Sequence, residues 1–170
     1  GEYAAGMLFM PPKPRLAARC RKAVEAAVSA EGAEVLGWRE VPTDNSSLGR
    51  FALDTEPHFR QVIIARGSIA PEAFERKLYV IRRMIEREVE TFRNGDYSQF
   101  YIASLSSRTI VYKGMLTGTQ VLTYFPDLQN PYFAAAFAIV HQRYSTNTLP
   151  TWHLAQPFRM LAHNGEINTL

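Results

Sequence analysis

Two short polar stretches hold the residues best suited to chemistry, His141-Gln142-Arg143-Tyr144-Ser145-Thr146 and His163-Asn164-Gly165-Glu166-Ile167. The first follows an apolar run directly, so a strand end would hold the Arg143 guanidinium for a two-pronged grip on a carboxylate. The α-carboxylate of an amino acid would fit. A structural ion pair with an Asp or Glu accounts for such an arginine as well. In the second stretch, Asn164 before Gly165 can set a side-chain amide and a backbone N–H side by side, and glycine lets a substrate carbonyl approach with no Cβ in the way. Two such donors would make an oxyanion hole, and an ordinary Asn-Gly turn has the same signature. Ser145 and Thr146 have no evident Asp partner, which leaves a serine-type triad unsupported.

The chain has one cysteine, Cys20. Arg19, Arg21 and Lys22 flank it and would favour a thiolate. Against that, Leu16, Cys20, Val24, Ala27 and Val28 recur on one helical face, which sends the thiol into the core. The histidines, His58, His141, His153 and His163, show no metal-ligand spacing, and His141 and His163 read as groups that orient their own loops.

The elements that must position these residues follow from periodicity. Residues 1–10 read as a buried strand that ends at Pro11-Pro12. Pro14 opens a helix that runs to Gly32. Residues 34–41 have a strand-like core, residues 44–49 form a polar loop, and residues 59–65 make another strand. Phe74, Leu78, Ile81, Ile85, Val89 and Phe92 step by three and four, which predicts a long amphipathic helix ended by Asn94-Gly95. Residues 99–105 and 109–116, separated by Ser106-Ser107-Arg108, have the spacing of a hairpin, so antiparallel sheet is expected. Thr117 can cap a short helix through Phe125, with Pro126-Asp127 closing it. Residues 132–140 read as a buried strand that delivers Arg143 to its end. The class is α+β, a mostly antiparallel sheet with long helices on its faces.

A chain of 170 residues with 46% hydrophobic residues can bury a sizeable core. Its 19 Lys and Arg against 16 Asp and Glu give a net charge of +3, and the basic clusters near residues 13–22 and 76–87 fit solvated helix faces rather than a nucleic-acid surface. The longest apolar run, residues 132–140, is too short to span a bilayer. No basic leader or cleavage signature is visible at the start. One cysteine permits no internal disulfide, and a reducing compartment fits best.

Three runs carry a resemblance: residues 141–148 (HQRYSTNT), residues 154–159 (LAQPFR) and residues 163–169 (HNGEINT). Together with residues 1–10, 35–41, 44–46 and 100–116 they resemble the class II glutamine amidotransferase (glutaminase) domain at the N-terminus of the glutamate synthase large subunit. The likeness spans essentially the whole chain, so residues 1–170 are expected to be an internal part of one such domain. It implies the four-layer αββα sandwich of the N-terminal-nucleophile hydrolases, incomplete in this segment. It also implies that Arg143 binds the glutamine α-carboxylate, that Ser145 and Thr146 line the pocket, and that Asn164 and Gly165 form the oxyanion hole. In the family the nucleophile is a cysteine at the mature N-terminus, whereas residue 1 here is glycine, and an acidic residue that holds the substrate amino group lies beyond Leu170. The segment alone is therefore expected to be inactive. By the resemblance the parent would carry FMN and an iron–sulfur cluster outside this segment, with electrons from NADPH, NADH or ferredoxin and, as partner, a small electron-supplying subunit or ferredoxin. A cytoplasmic or, in a plant, plastid location follows from the resemblance. The alternatives are another class II amidotransferase and a non-catalytic interaction module that keeps the fold.

Overall fold

The computed structural model describes residues 2–93, 95–142, 144 and 149–160. At its centre is a four-stranded sheet made of β1 (Tyr3–Met10), β2 (Glu34–Glu40), β3 (His58–Ala65) and β4 (Tyr101–Ser106), in the order β2-β3-β1-β4. All three pairings are antiparallel. β1 runs beside β3 without interruption from Tyr3 opposite Ala65 to Met10 opposite His58. As a central strand it is covered on both faces, which is why its sequence is apolar at consecutive positions rather than alternating. Gly6 is required there, since a Cβ would lie 2.7 Å from Cγ1 of Val62 and 2.9 Å from Cδ1 of Leu105.

Two long helices, α1 (Pro14–Ala30) and α3 (Pro71–Glu90), cover one face. α1 buries Cys20, Ala23, Val24, Ala27 and Val28, the stripe its spacing predicts, and Cys20 is fully enclosed. It ends with Gly32 at a φ of 66°, while the Ala33 and Gly32 N–H groups donate to the carbonyls of Val28 and Ser29. This is the paired hydrogen bonding that glycine makes possible at a helix end. α3 buries Phe74, Leu78, Ile81, Ile85 and Val89 against α1 and the sheet. It stops at Thr91, a little before the Asn94-Gly95 expected to end it, with the Thr91 hydroxyl donating to the Glu88 carbonyl at 2.7 Å.

The other face is covered by a looser assembly. Met7, Phe9 and Phe59 pack there with Val41, Leu48, Tyr124, Phe125 and Trp152. A short helix that the sequence did not announce, α2 (Arg50–Asp54), lies here, as does α4 (Gln120–Tyr124), followed by a 3-10 turn at Pro126–Gln129. Thr117 is not the residue at the start of α4; Thr119 is. Instead, the Thr117 N–H and hydroxyl donate to Oε1 of Gln120 at 2.9 and 3.1 Å.

Two further expectations fail. Residues 109–116 form no strand, so the hairpin with β4 is absent. After β4 the chain is tied to α3, because the Ser107 N–H and hydroxyl each donate to Oε1 of Glu75 at 2.6 Å. The Arg108 N–H then donates to the Ser106 hydroxyl, and the Val111 N–H donates to the Ser104 hydroxyl at 3.1 Å. Side chains thus take up donors that a ladder would use. Residues 132–140 are not a buried strand either. All of them are exposed, with Tyr132 at 93% and Val140 at 84%. Among the described residues nothing pairs with this run, and a strand exists only with a partner.

Candidate functional site

The residues singled out for chemistry, Arg143, Ser145, Thr146, Asn164 and Gly165, lie outside the described residues, as does His163. What is described is the frame on either side of them. Tyr144, next to Arg143, donates its hydroxyl to the Gly114 carbonyl at 2.7 Å. Burial pushes that phenol up to about 12. From residues 154–159, which precede the second stretch in sequence, Ala155 and Gln156 line a cavity of about 40 Å³ together with His141, Gln142 and Tyr144 from the first. Lys113 and Gly114 form another part of its wall. The approaches to the two motifs therefore meet at one place, the segment Tyr112-Lys113-Gly114.

Lys113 is the functional-looking residue that the sequence reading missed. It is buried, 3% exposed, and among the described residues no carboxylate pairs with it. Its ammonium donates to the carbonyls of Ala155 at 2.7 Å, His153 at 2.9 Å and Pro157 at 3.4 Å, and to the Tyr101 hydroxyl at 3.2 Å. The rings of Tyr101 and Phe158 present their faces to it at 4.4 and 4.9 Å. Burial, with a smaller push from the charge of Arg82, lowers its pKa to about 8. The nearby His153 is lowered too, first by burial and then by Lys113. The one available signal was a single charge inside the apolar run Ile110-Val111-Tyr112-Lys113-Gly114-Met115-Leu116.

Neighbouring contacts fix the same region. Trp152 is 4% exposed and donates its indole N–H to the Ala52 carbonyl at 3.1 Å. Its ring lies where a Cβ on Gly114 would fall, 2.6 Å from Cζ3, so glycine is what allows the approach. Tyr112 donates to Oδ2 of Asp127 at 2.9 Å, and Arg39 on β2 holds both oxygens of that carboxylate at 2.6 and 2.5 Å. The arginine keeps the Asp127 carboxyl below its ordinary range. A larger groove of about 500 Å³, bordered by Arg83, Glu86, Glu90 and Tyr97, opens at the far end of α3. Two of its charges, Arg83 and Glu86, already pair with each other along the helix.

Cys20 is not available as a nucleophile. It is fully enclosed by the core, and burial pushes its thiol up to about 12. Among the described residues no group of three or more His, Cys, Asp or Glu side chains is placed to hold a metal ion. No helix among them is long and apolar enough to cross a membrane.

The family model of the glutamine amidotransferases class-II matches residues 1–170. The chain belongs to this family. It is 49% identical over 172 residues to the "Glutamate synthase [NADPH] large chain" of Azospirillum brasilense, covering 99% of this chain and 11% of that protein. To the protein of the same name in Bacillus subtilis (strain 168) it is 48% identical over 170 residues, again 99% of this chain and 11% of the relative. The "Ferredoxin-dependent glutamate synthase 2, chloroplastic" of Arabidopsis thaliana is 46% identical over 167 residues, 97% of this chain and 10% of its own length. The chain thus spans about a tenth of the length of these relatives.

Proposed function

We propose that residues 1–170 are an internal part of the glutaminase domain of a glutamate synthase. What supports this reading is a likeness to glutamate synthase large chains over nearly the whole segment. It includes residues 154–159, which lie outside the signature shared by class II amidotransferases in general. The antiparallel sheet with α1 and α3 on one face would be one half of a four-layer αββα sandwich.

In this reading Arg143 holds the α-carboxylate of glutamine, and Ser145 and Thr146 line its pocket. A cysteine thiolate elsewhere in the parent attacks the side-chain amide carbon. The negative charge that gathers on the amide oxygen is met by the Asn164 side-chain amide and the Gly165 N–H. The C–N bond then breaks, the nitrogen takes a proton, and ammonia leaves a glutamyl thioester that water hydrolyses to glutamate. In the parent the ammonia would go on to convert 2-oxoglutarate to glutamate. These 170 residues are inert on their own, since their one thiol is the enclosed Cys20. An iron–sulfur cluster needs several thiolates, so this chain does not supply its ligands, and no step here involves it or FMN. The electron donor, NADPH, NADH or ferredoxin, would reach the rest of the parent. A soluble compartment, the cytoplasm or a plastid, fits this chemistry.

The test is Asn164→Ala in the full-length parent, assayed with glutamine and with ammonia as nitrogen source. An oxyanion donor acts on the transition state, so glutamine-dependent kcat should fall about 10²- to 10³-fold with little change in KM. The ammonia-dependent rate should persist. Equal loss in both assays would point to misfolding, and no loss in either would leave Asn164-Gly165 a mere turn. A full-length chain that hydrolyses glutamine but makes no glutamate from 2-oxoglutarate would be another class II amidotransferase. One that does neither would be an interaction module.

A further inference from the structure

We propose that Lys113 is a positioning residue for the glutamine reaction: its ammonium ties the carbonyls of His153, Ala155 and Pro157 to the end of β4, and so fixes the stretch that leads in sequence to His163-Asn164-Gly165. The inference rests on the function proposed above, and three observations carry it.

The first is convergence. The carbonyls of His153, Ala155 and Pro157 stand at alternate positions of a stretch with no strand partner, and all three face one ammonium. Lys113 does for this stretch what a neighbouring strand would otherwise do. Its hydrogen bond to the Tyr101 hydroxyl carries the anchor into β4.

The second is the choice of a charge. A buried ammonium without a carboxylate gives up its hydration for neutral acceptors and aromatic faces, a costly means of fastening a loop when apolar packing would do. Trp152, one residue before this stretch, shows that apolar packing is available here. What the charge adds is direction, because each N–H must find its acceptor at a defined place.

The third is location. Lys113 and Gly114 lie between the described neighbours of both motifs. Tyr144, adjacent to Arg143, donates to Gly114, while Pro157, seven residues before Asn164, accepts from Lys113. A shift of this anchor would move Tyr144 and Pro157, the described neighbours of the two motifs, relative to each other. Misplacing a reacting group by about 1 Å costs on the order of 10²-fold in rate.

Lys113→Met in the full-length parent keeps the length of the stem and removes the charge. Its glutamine-dependent kcat should fall about 10- to 100-fold, with glutamine KM within about threefold and the ammonia-dependent rate unchanged. Asn164→Ala is measured beside it. Full kcat in Lys113→Met, or equal loss with glutamine and with ammonia, overturns the inference. If Lys113→Met does not fold, Tyr101→Phe decides. It removes one partner of the ammonium and keeps the ring, so a several-fold loss with glutamine alone supports the role and an unchanged kcat overturns it. A slow Asn164→Ala beside a fast Lys113→Met sinks this inference only. A fast Asn164→Ala sinks the underlying reading, and this inference with it.

Discussion

The sheet with its two long helices and the stretch that follows β4 are held by different forces. In the first region the backbone groups of α1 and α3 bond within each helix and those of β1 and β3 bond to neighbouring strands, so side chains such as Leu78 and Ile81 have only to pack. In the second, backbone groups are met one at a time by side chains: the Glu75 carboxylate at Ser107, the Ser104 hydroxyl at Val111, the Lys113 ammonium at residues 153–157. The difference teaches where cost and precision lie. A packed helix face tolerates drift in any one contact, whereas a loop fixed by directed polar bonds is placed accurately and depends on each of them. Loops so placed are where catalytic and binding groups are commonly carried.

The contrast predicts that stability is concentrated in the first region. Leu78 is fully buried between α1, α3 and the sheet. Leu78→Ala should cost about 2–5 kcal/mol, the lost transfer energy plus the cavity left behind. Urea unfolding monitored by circular dichroism measures it. A cost below about 1 kcal/mol would mean that the helical face is not the main core.

In the second region, substitutions at the motifs should show in ligand binding rather than in folding. Arg143→Ala in the full-length parent should weaken glutamine binding by about 1.5–3 kcal/mol, the worth of a charge-assisted hydrogen bond, which is about a 10- to 100-fold rise in glutamine KM. Ammonia-dependent glutamate formation should survive. A folded variant with unaltered glutamine KM would make Arg143 a structural ion-pair residue.

Cys20 sharpens the same contrast from the side of the core. Cys20→Ser in the full-length parent should leave glutamine turnover nearly unchanged and cost about 1 kcal/mol of stability, as for a modest change in a buried site. Because burial pushes the thiol up to about 12, almost no thiolate exists in the folded chain near pH 8. Alkylation by iodoacetamide should therefore be slow there and become fast on unfolding. Rapid labelling of the native protein would place Cys20 outside the core.

How much of this was legible in the sequence follows from the same difference. α1 and α3 could be read because a helix carries its burial pattern in its own residues, as Cys20, Val24 and Ala27 or Leu78, Ile81 and Ile85 do. The strands β1 to β3 could be read because consecutive β-branched and apolar residues sit between turn signals. The second arm of the hairpin could not. Whether residues 109–116 join β4 depends on where Glu75 and Ser104 direct their hydrogen bonds, and periodicity does not encode that. α2 is five residues long and leaves no periodic trace. Lys113 escaped notice because its partners are main-chain carbonyls some 40 residues further along, and a carbonyl has no residue type to recognise. The candidate site residues rest on motif and resemblance alone, and they lie outside the described residues.

The smallest expected effect is at residues 132–140, where apolar composition and burial part company. Ile139 is 80% exposed and Phe137 76%, so in the 170-residue chain neither has left water. The hydrophobic contribution to folding scales with the area removed from water, and almost none is removed here. Ile139→Ser should accordingly change the stability of this chain by no more than about 0.5 kcal/mol, the usual range for a surface substitution away from special features. The measurement is a pair of urea titrations, with the midpoints compared at equal slope. A loss near that of Leu78→Ala would mean that the run is buried in solution and that the strand expected from its composition forms after all. An unchanged midpoint with reduced aggregation would instead fit an exposed apolar surface, since replacing an exposed isoleucine by serine removes a sticky patch without touching the fold.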